Sequence, residues 1–184
     1  MMTTNRAPLC ERSTSAGTTA ARPSATIRPA TAADFPAMLQ IFRRATASGD
    51  TDVHAADTGA DETYAYWFGE AKATYVAERD GRVVGMCRII ENQRGRGSHV
   101  ANASFMVDPG ARGQGVGLAL GRHCLAEARK DGFLAMQLNM VVSTNTRAVA
   151  LWKKPGLAVV GTLPGAFRHA RLGPVDAYVM RRSS

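Results

Sequence analysis

The sequence has few cysteines, and they form no metal-binding or disulfide pattern. Only three occur in 184 residues, at Cys10, Cys87 and Cys124. Their number is odd and none stands in a CxxC spacing, so neither a disulfide framework nor a zinc site is indicated. The histidines show no ligand spacing either, so we expect no bound metal. These absences favour a reducing compartment, and we predict a cytoplasmic location.

Long apolar runs are also absent. No stretch approaches the ~18 residues that a bilayer-spanning helix needs, and the N-terminus lacks the apolar block of a secretory signal. We therefore expect a soluble protein with no membrane association. The hydrophobic residues make up 45% of the sequence, which is enough to bury a core, and 184 residues suit one domain.

The basic residues are not concentrated as they are in nucleic-acid-binding proteins. Lys and Arg number 23 against 15 Asp and Glu, for a net charge of +8. The arginines are scattered, however, and no basic stripe is interleaved with aromatics. A small polyanionic ligand or simple solubility accounts for the charge equally well. We therefore predict no nucleic-acid partner.

Residues 1–25 differ in composition from the rest of the chain. They are rich in Thr, Ser, Ala and Arg and offer little apolar surface to offset the entropy of ordering. This composition predicts a disordered low-complexity tail, with a faint similarity to a mitochondrial transit peptide. The folded domain is expected to comprise residues 26–184.

Hydrophobic spacing and turn residues divide the domain into strands and helices. Thr31 and Asp34 form a variant capping box at the start of the first predicted helix, and Asp80-Gly81 predicts a hairpin turn. The predicted strands cover residues 26–29, 74–78, 82–90, 100–107, 134–142, 157–162 and 175–181, and the predicted helices cover residues 31–48, 62–70, 114–130 and 145–155.

The order of these elements predicts the fold class. A strand, a glycine turn, a helix and a second strand form a βαβ unit, so the strands around Phe105 and Leu138 should be parallel. The hairpin at Asp80-Gly81 is antiparallel. We therefore predict an α/β (α+β) domain in which a mixed sheet of about seven strands is flanked by about four helices.

The glycine-rich stretch RGQGVG, at residues 112–117, lies at the start of a predicted helix. A helix N-terminus presents free N–H groups and partial positive charge, which attract phosphate. Glycines let the backbone approach a diphosphate without Cβ collisions, and Arg112 adds a fixed charge. The stretch matches neither the GxxxxGK[ST] loop nor the dinucleotide-binding GxGxxG context.

Two motifs carry a resemblance to a known family. Arg112-Gly-Gln-Gly-Val-Gly117 resembles the RxxGxG signature of the GNAT superfamily of acyl-CoA-dependent N-acyltransferases, placed after a strand ending in Val-x-Pro and at a helix start. Residues 145–157, NTRAVALWKKPGL, resemble the family's NxxAxxxYxxxGF segment. The resemblance covers about residues 26–182.

The resemblance implies a binding site for acetyl-CoA, the acyl donor. The strand near residue 105 would be splayed from its parallel neighbour, and the pantetheine would lie along it. The backbone N–H near Val107 would stabilise the oxyanion. The residues implied in donor binding are Phe105, Met106, Val107, Arg112, Gly113, Gln114, Gly115, Val116, Gly117, Asn145, Ala148 and Trp152.

The sequence departs from the family pattern at the expected acid and base. Trp152 stands where the family often has a tyrosine acid, and residues 100–107 contain no carboxylate where a base is common. Asn102 and Asn139, in neighbouring strands, either hold the substrate's carboxylate or amine or form a buried hydrogen-bonded bridge, to each other or to the backbone. Other groups that could serve are Tyr64, Tyr66 and Tyr178 as acids, and Glu91 and His169 as bases through water.

We therefore predict an acetyl-CoA-dependent N-acetyltransferase that acts on a small-molecule amine by direct attack in a ternary complex. The resemblance extends to a branch that includes acetyltransferases of proline analogues such as azetidine-2-carboxylate, which suggests an amino-acid-like acceptor and a role in detoxification. A peptide or protein N-acetyltransferase and a non-catalytic CoA-binding sensor are the alternatives. The sequence does not determine the oligomeric state and is compatible with a homodimer.

Overall fold

The computed structural model describes residues 25–55 and 57–183. Residues 1–24 of the expected tail lie outside the described residues. The strands are β1 (Thr26–Pro29), β2 (Ala73–Arg79), β3 (Arg82–Glu91), β4 (Val100–Val107), β5 (Ala135–Val142), β6 (Ala158–His169) and β7 (Gly173–Ser183). The helices are α1 (Phe35–Thr46), α2 (Ala60–Tyr64), which continues into a π-helical turn (Ala65–Gly69), α3 (Val116–Lys130) and α4 (Thr146–Lys153).

The strands form one sheet in the order β1-β2-β3-β4-β5-β7-β6. The pair β4 and β5 is parallel and is connected through a helical crossover, as such a pair requires, and all other neighbours are antiparallel. The β2–β3 hairpin turns at Asp80 and Gly81, whose φ angles of 51° and 69° are those of a turn with two left-handed residues. The predicted mixed α/β sheet is confirmed.

The core lies on both faces of the sheet. On one face, Met38 and Phe42 of α1 pack with Trp67 against the central strands, and all three are fully buried. On the other face, Leu120 and Cys124 of α3 are equally buried in a separate cluster. Successive strand side chains point to opposite faces, so β3 and β4 contribute to both clusters.

Among the described residues, every helix falls short of the length and apolarity that crossing a bilayer demands.

The C-terminal hairpin is longer than the sequence predicts. The sequence predicts strands at residues 157–162 and 175–181, but residues 163–169 continue β6, and the turn to β7 is short. Pro164 and Gly165 lie in an irregularity between Leu163 and Phe167. Proline is tolerated there because β6 is the edge strand and needs no ladder N–H on its outer side.

The predicted capping box is confirmed at a short 3-10 turn (Ala32–Asp34) that leads into α1, and it extends into an ion pair. The Asp34 carboxylate accepts hydrogen bonds from the Thr31 backbone N–H at 2.8 Å and from the Thr31 hydroxyl at 3.0 Å. Arg28 of β1 donates two further bonds to it, at 2.8 and 2.9 Å. The Arg28 guanidinium holds the pKa of the Asp34 carboxyl far below its usual range.

We expect Asp34→Asn to lower the free energy of unfolding at pH 7 by about 1–2 kcal/mol, because the cap and the ion pair are both weakened. The value is modest because the Arg28 side chain is 38% exposed to solvent. Because the pKa of Asp34 is lower in the folded protein than in the unfolded chain, its ionisation stabilises the fold fully above the unfolded-state pKa of about 3.9. This contribution decreases as the pH falls from that value toward the folded-state pKa. Urea unfolding at pH 7 and pH 3 should therefore show a gap between wild type and variant that narrows in acid; an equal gap at both pH values would contradict this.

Candidate functional site

The parallel strands β4 and β5 separate soon after they meet. They pair only at Val100 with Ala135 and at Ala101 with Met136, after which β4 has no partner on β5. The backbone groups on that edge of β4 are therefore available to a ligand. A cavity of about 350 Å³ fills the gap. Its lining comprises residues 102–106 of β4, residues 138–142 of β5, Asn145, Ala148 and Trp152 beside α4, and Ala45, residues 51–53 and Tyr66 above them.

A β-bulge brings several successive residues of β5 to this cavity. Leu138 is opposite Met180 and Val141 is opposite Tyr178, so two residues of β5 face one residue of β7. A bulge of this kind re-aims side chains and breaks the alternation of a strand. Asn139 lies in the bulge and lines the cavity.

The glycine stretch forms an open turn at the N-terminus of α3. Gly113 and Gly115 have φ angles of 76° and 82°, which L side chains rarely adopt, and a Cβ built on either would have no protein atom within 4 Å. The helix begins at Val116, two residues later than predicted. The first N–H groups of an α-helix have no intrahelical partners, so this space suits an anion.

A side chain from the β2–β3 hairpin fixes the turn. Arg79 donates hydrogen bonds to the side-chain oxygen of Gln114 and, at 3.4 Å, to its carbonyl. Gln114 in turn donates through Nε2 to the carbonyl of Gly110 at 3.0 Å. The Gln114 side chain thus braces the loop, and no sequence motif indicates the contribution of Arg79.

Trp152 packs between the cavity and the core. Its side chain lies with its ring centroid 4.4 Å from that of Phe105, and the residue is 8% exposed. A Cβ on Gly121 of α3 would lie 2.8 Å from the indole Cζ3, so glycine makes room for the ring. Asn145 caps α4, because its Oδ1 accepts the Ala148 N–H at 3.1 Å. Asn145, Ala148 and Trp152 together form one wall of the cavity.

Asn102 and Asn139 both line the cavity, and each side-chain oxygen is bonded within its own strand. Asn102 Oδ1 accepts the Ala103 N–H at 2.7 Å. Asn139 Oδ1 accepts from Gln137 Nε2 at 2.9 Å. Of the two bridges considered, a bond between the two asparagines is not found among the hydrogen bonds of the described residues, whereas the bond of Asn102 is one to the backbone. The two amides therefore lie on opposite walls of the same space.

Among the three tyrosines considered as acids, Tyr66 is the one that lines the cavity. Its hydroxyl lies 2.6 Å from Ser104 Oγ on β4, and the Arg88 guanidinium carbon lies 3.4 Å from its ring centroid. Tyr64 is 42% exposed and stacks on Phe68. Tyr178 packs against the core cluster that contains Leu138.

The two residues considered as bases lie elsewhere. Glu91 ends β3 and lies 3.9 Å from Lys72 Nζ. His169 was expected in a loop but ends β6, where it is 7% exposed and its Nδ1 accepts the Arg171 N–H at 3.1 Å. Neither residue lines the cavity. No group of three metal-binding side chains comes together in residues 25–55 and 57–183.

The cavity also contains a carboxylate that the sequence did not indicate. Asp52, in the connection between α1 and α2, is the one carboxylate among the described residues that line it. It is 50 positions from Asn102 in the sequence and belongs to no motif. Only the packing of the connection over the sheet brings it to the site.

Comparison with known proteins agrees with this geometry. A model of the acetyltransferase (GNAT) family matches residues 35–157. The N-acetyltransferase aca1 of Schizosaccharomyces pombe is 34% identical over 98 residues, which are 53% of this chain and 47% of that protein, so the match spans about half the length of this curated relative.

Solved structures extend the likeness to the fold. A GCN5-related N-acetyltransferase from Kribbella flavida is 41% identical with a TM-score of 0.83, over 88% of this chain and 98% of that one. The protein yncA of Salmonella typhimurium, solved with its cofactor acetyl-CoA, is 23% identical with a TM-score of 0.77, over 88% of this chain and 94% of its own. At that identity the likeness concerns the fold alone.

The sequence motifs, the divided sheet and the family match agree with one another. They confirm the predicted family, enzyme class and acyl donor. The chain belongs to the acetyltransferase (GNAT) family, a family of N-acetyltransferases whose acyl donor is acetyl-CoA.

Proposed function

We propose that this protein transfers the acetyl group of acetyl-CoA to the amine of a small molecule by direct attack in a ternary complex. The observation that carries the proposal is the shape of the site. Ala45, residues 51–53 and Tyr66 line the gap between β4 and β5 together with the two strands, and the space that they bound has a volume of about 350 Å³. A cavity of this size suits a small acceptor beside the thioester.

The residues present fit the acyl donor. The N–H groups of residues 112–117, with the fixed charge of Arg112, would hold the diphosphate, and the space around Gly113 and Gly115 admits it. The unpaired edge of β4 at Phe105, Met106 and Val107 would hydrogen-bond the amides of the pantetheine. Asn145, Ala148 and Trp152 would form the opposite wall.

The chain's contribution to the reaction is positioning and electrostatic stabilisation. When bound, acetyl-CoA supplies an activated acyl group with a thiolate as leaving group. The N–H near Val107 would stabilise the oxyanion that forms at the thioester carbonyl. The indole of Trp152 is not an acid, but a thiol with a reference pKa of about 8.5 is a tolerable leaving group, so water or the substrate ammonium can supply the proton.

We propose an acceptor that resembles an amino acid. Asn102 of β4 and Asn139 of β5 line the cavity from its two strands, and the hydrogen-bonded hydroxyls of Ser104 and Tyr66 belong to residues that line the same space. Such groups suit a carboxylate next to an amine. Proline analogues such as azetidine-2-carboxylate are within this class, and inactivation of toxic amines in the cytoplasm would be the corresponding role.

Thiol release from acetyl-CoA tests the proposed function. The panel comprises proline, azetidine-2-carboxylate, acyclic α-amino acids, simple alkylamines and peptides with free N-termini. We expect release above the amine-free background with one small-amine class and none with peptides. Release with peptides alone would favour a peptide acetyltransferase, and acetyl-CoA binding without release on any amine would favour a non-catalytic sensor.

We expect Asn139→Ala to raise the KM for the amine about tenfold while the affinity for acetyl-CoA stays nearly unchanged, because the carboxamide is proposed to bind the acceptor and not the donor. Gln137→Ala is the matched control, since it removes the hydrogen bond to Asn139 and leaves the carboxamide in the cavity. Steady-state kinetics with both substrates varied, together with a melting curve, provide the measurement. A large drop in stability with no change in the amine KM would indicate a structural role for Asn139.

A further inference from the structure

The connection between α1 and α2 contributes a charged residue to the lining of the cavity between β4 and β5, which we call the acceptor cavity. Asp52 lines this cavity and also a second hollow of about 400 Å³ behind it, which residues 46–49 and 166–168 help to form. The other polar side chains that line the acceptor cavity are amides and hydroxyls, which carry no charge at neutral pH. Asp52 therefore supplies the negative charge of the site.

The carboxylate of Asp52 is held in position by His54. Its Oδ1 accepts the His54 backbone N–H at 3.0 Å and lies 2.6 Å from His54 Nδ1. The side chains of Asp52 and His54 are 24% and 15% exposed. The carboxylate is thus partly sheltered from solvent, which weakens the screening of its charge, and it belongs to a residue that lines the cavity.

The imidazole of His54 is fixed by two aromatic neighbours. Its ring centroid lies 5.2 Å from that of Phe42 and 4.3 Å from that of Tyr66, with both contacts edge-on. Phe42 is fully buried, so the histidine is tied to the rigid core of α1. Tyr66 also contacts Ser104 on β4, the strand along which the donor is proposed to lie. The contacts of His54 and Tyr66 therefore position Asp52 relative to that strand.

We propose that Asp52 is the counter-ion and proton acceptor for the acceptor amine, and that His54 is the positioning residue that orients its carboxylate. The inference rests on the proposed function and narrows its substrate class to primary or secondary amines that are protonated at neutral pH. Such an ammonium has no lone pair and must lose a proton before it can attack. The β4 strand offers no carboxylate for that task, and the connection supplies one.

The protons and electrons of this step balance. One N–H proton of the ammonium passes to an Asp52 carboxylate oxygen and from there to solvent. The freed nitrogen lone pair forms the N–C bond, and the C–S bond breaks with its electron pair on sulfur. A second N–H proton leaves as the amide forms, and the thiolate takes up one proton to become a thiol. A primary amine keeps one N–H in the product and a secondary amine keeps none.

The test compares Asp52→Asn with wild type, using the amine that releases most thiol in the panel. We expect kcat/KM for the amine to fall about 100-fold while the KM for acetyl-CoA changes less than about twofold. Asp52→Glu should recover part of the loss. His54→Gln should lower kcat/KM for the amine about tenfold, because the carboxylate is left unoriented.

A pH profile separates a proton acceptor from a structural residue. As the pH rises toward the pKa of the amine, more of it arrives unprotonated, so the deficit of Asp52→Asn should shrink. The other groups that titrate or carry charge around Asp52 are His54, Tyr66 of the π-helical turn, Arg88 of β3 and Arg168 of β6. Because His54 contacts Asp52 directly, His54→Gln is followed over the same pH range to show how much of the profile depends on the imidazole.

The remaining outcomes are distinguishable. Unchanged kcat/KM for the amine in Asp52→Asn overturns the inference, as does a deficit that is the same at every pH or an equal loss of acetyl-CoA affinity. Wild-type protein that acetylates no amine overturns the proposed function itself, and the inference falls with it. Isothermal titration with CoA confirms that each variant is folded, independently of turnover.

Discussion

Gly115→Asp is expected to weaken acetyl-CoA binding at least about 100-fold, because it places a carboxylate at the proposed diphosphate site. The φ angle of 82° at this position disfavours any L side chain, and the open space around it is where the diphosphate would lie. A like charge at a helix N-terminus that binds an anion opposes the ligand directly. Isothermal titration with acetyl-CoA and with CoA measures the loss.

Two matched variants separate charge, strain and position. Gly132 also has a positive φ, 85°, and open space around it, but it follows the C-terminal end of the same helix. Gly132→Asp therefore introduces the same side chain and similar strain away from the site, and it should leave the affinity for CoA within about twofold. Gly115→Asn keeps the shape of aspartate without its charge, and asparagine tolerates a left-handed backbone better. We expect an intermediate loss.

Equal affinity for CoA in wild type and Gly115→Asp would remove the glycine turn from the donor site. Equal losses in Gly115→Asp and Gly132→Asp would point instead to damage to α3 as a whole. Melting curves of all three variants distinguish these results, because backbone strain alone costs about 1 kcal/mol at either position.

The donor half of the site was predictable because its determinants are local in sequence. Glycines with free left-handed φ angles, a strand before them and an apolar helix after them all lie within residues 100–130. The same is true of Asn145, whose capping role follows from its place before α4. Short-range patterns of this kind specify both the backbone conformation and its exposed N–H groups.

The acceptor half was not predictable to the same degree, since tertiary packing assembles it. Asp52 reaches the cavity from a connection without regular structure, and Arg79 braces Gln114 across 35 positions of sequence. The bulge in β5 also has no signal in its apolar run, and without it simple alternation would not bring both Asn139 and its neighbours to the cavity. The predicted end of the strand at residue 162 was wrong, because β6 is an edge strand and accommodates Pro164, a residue type that would end a central strand.

The division of the sheet connects these two halves. Strand β4 pairs with β3 along residues 101–107, while β5 pairs with β7 on the other side of the gap. The gap therefore opens between two well-supported strands and does not depend on a mobile segment. Donor and acceptor can meet there at a fixed distance, which is the main requirement for attack on an already activated thioester.

Trp152→Ala is expected to lower the free energy of unfolding by about 3–5 kcal/mol, the usual cost of removing a large buried aromatic side chain. The indole packs on Phe105 and fills the space that Gly121 leaves on α3, so its loss opens a cavity between the helix and β4. Trp152→Tyr keeps an aromatic ring against both neighbours and should cost about 1 kcal/mol. Denaturant unfolding of wild type and both variants measures the difference.

The same pair of variants decides whether the departure from the family pattern at Trp152 limits catalysis. If protonation of the thiolate is already supplied by solvent or by the substrate, Trp152→Tyr should leave kcat within about threefold, since a phenol adds nothing that is lacking. A tenfold or larger rise in kcat would mean that the chain lacks an acid that tyrosine supplies. A fall in stability of Trp152→Ala below about 1 kcal/mol would mean that neighbouring side chains close the gap, and the packing role assigned to Trp152 would then be wrong.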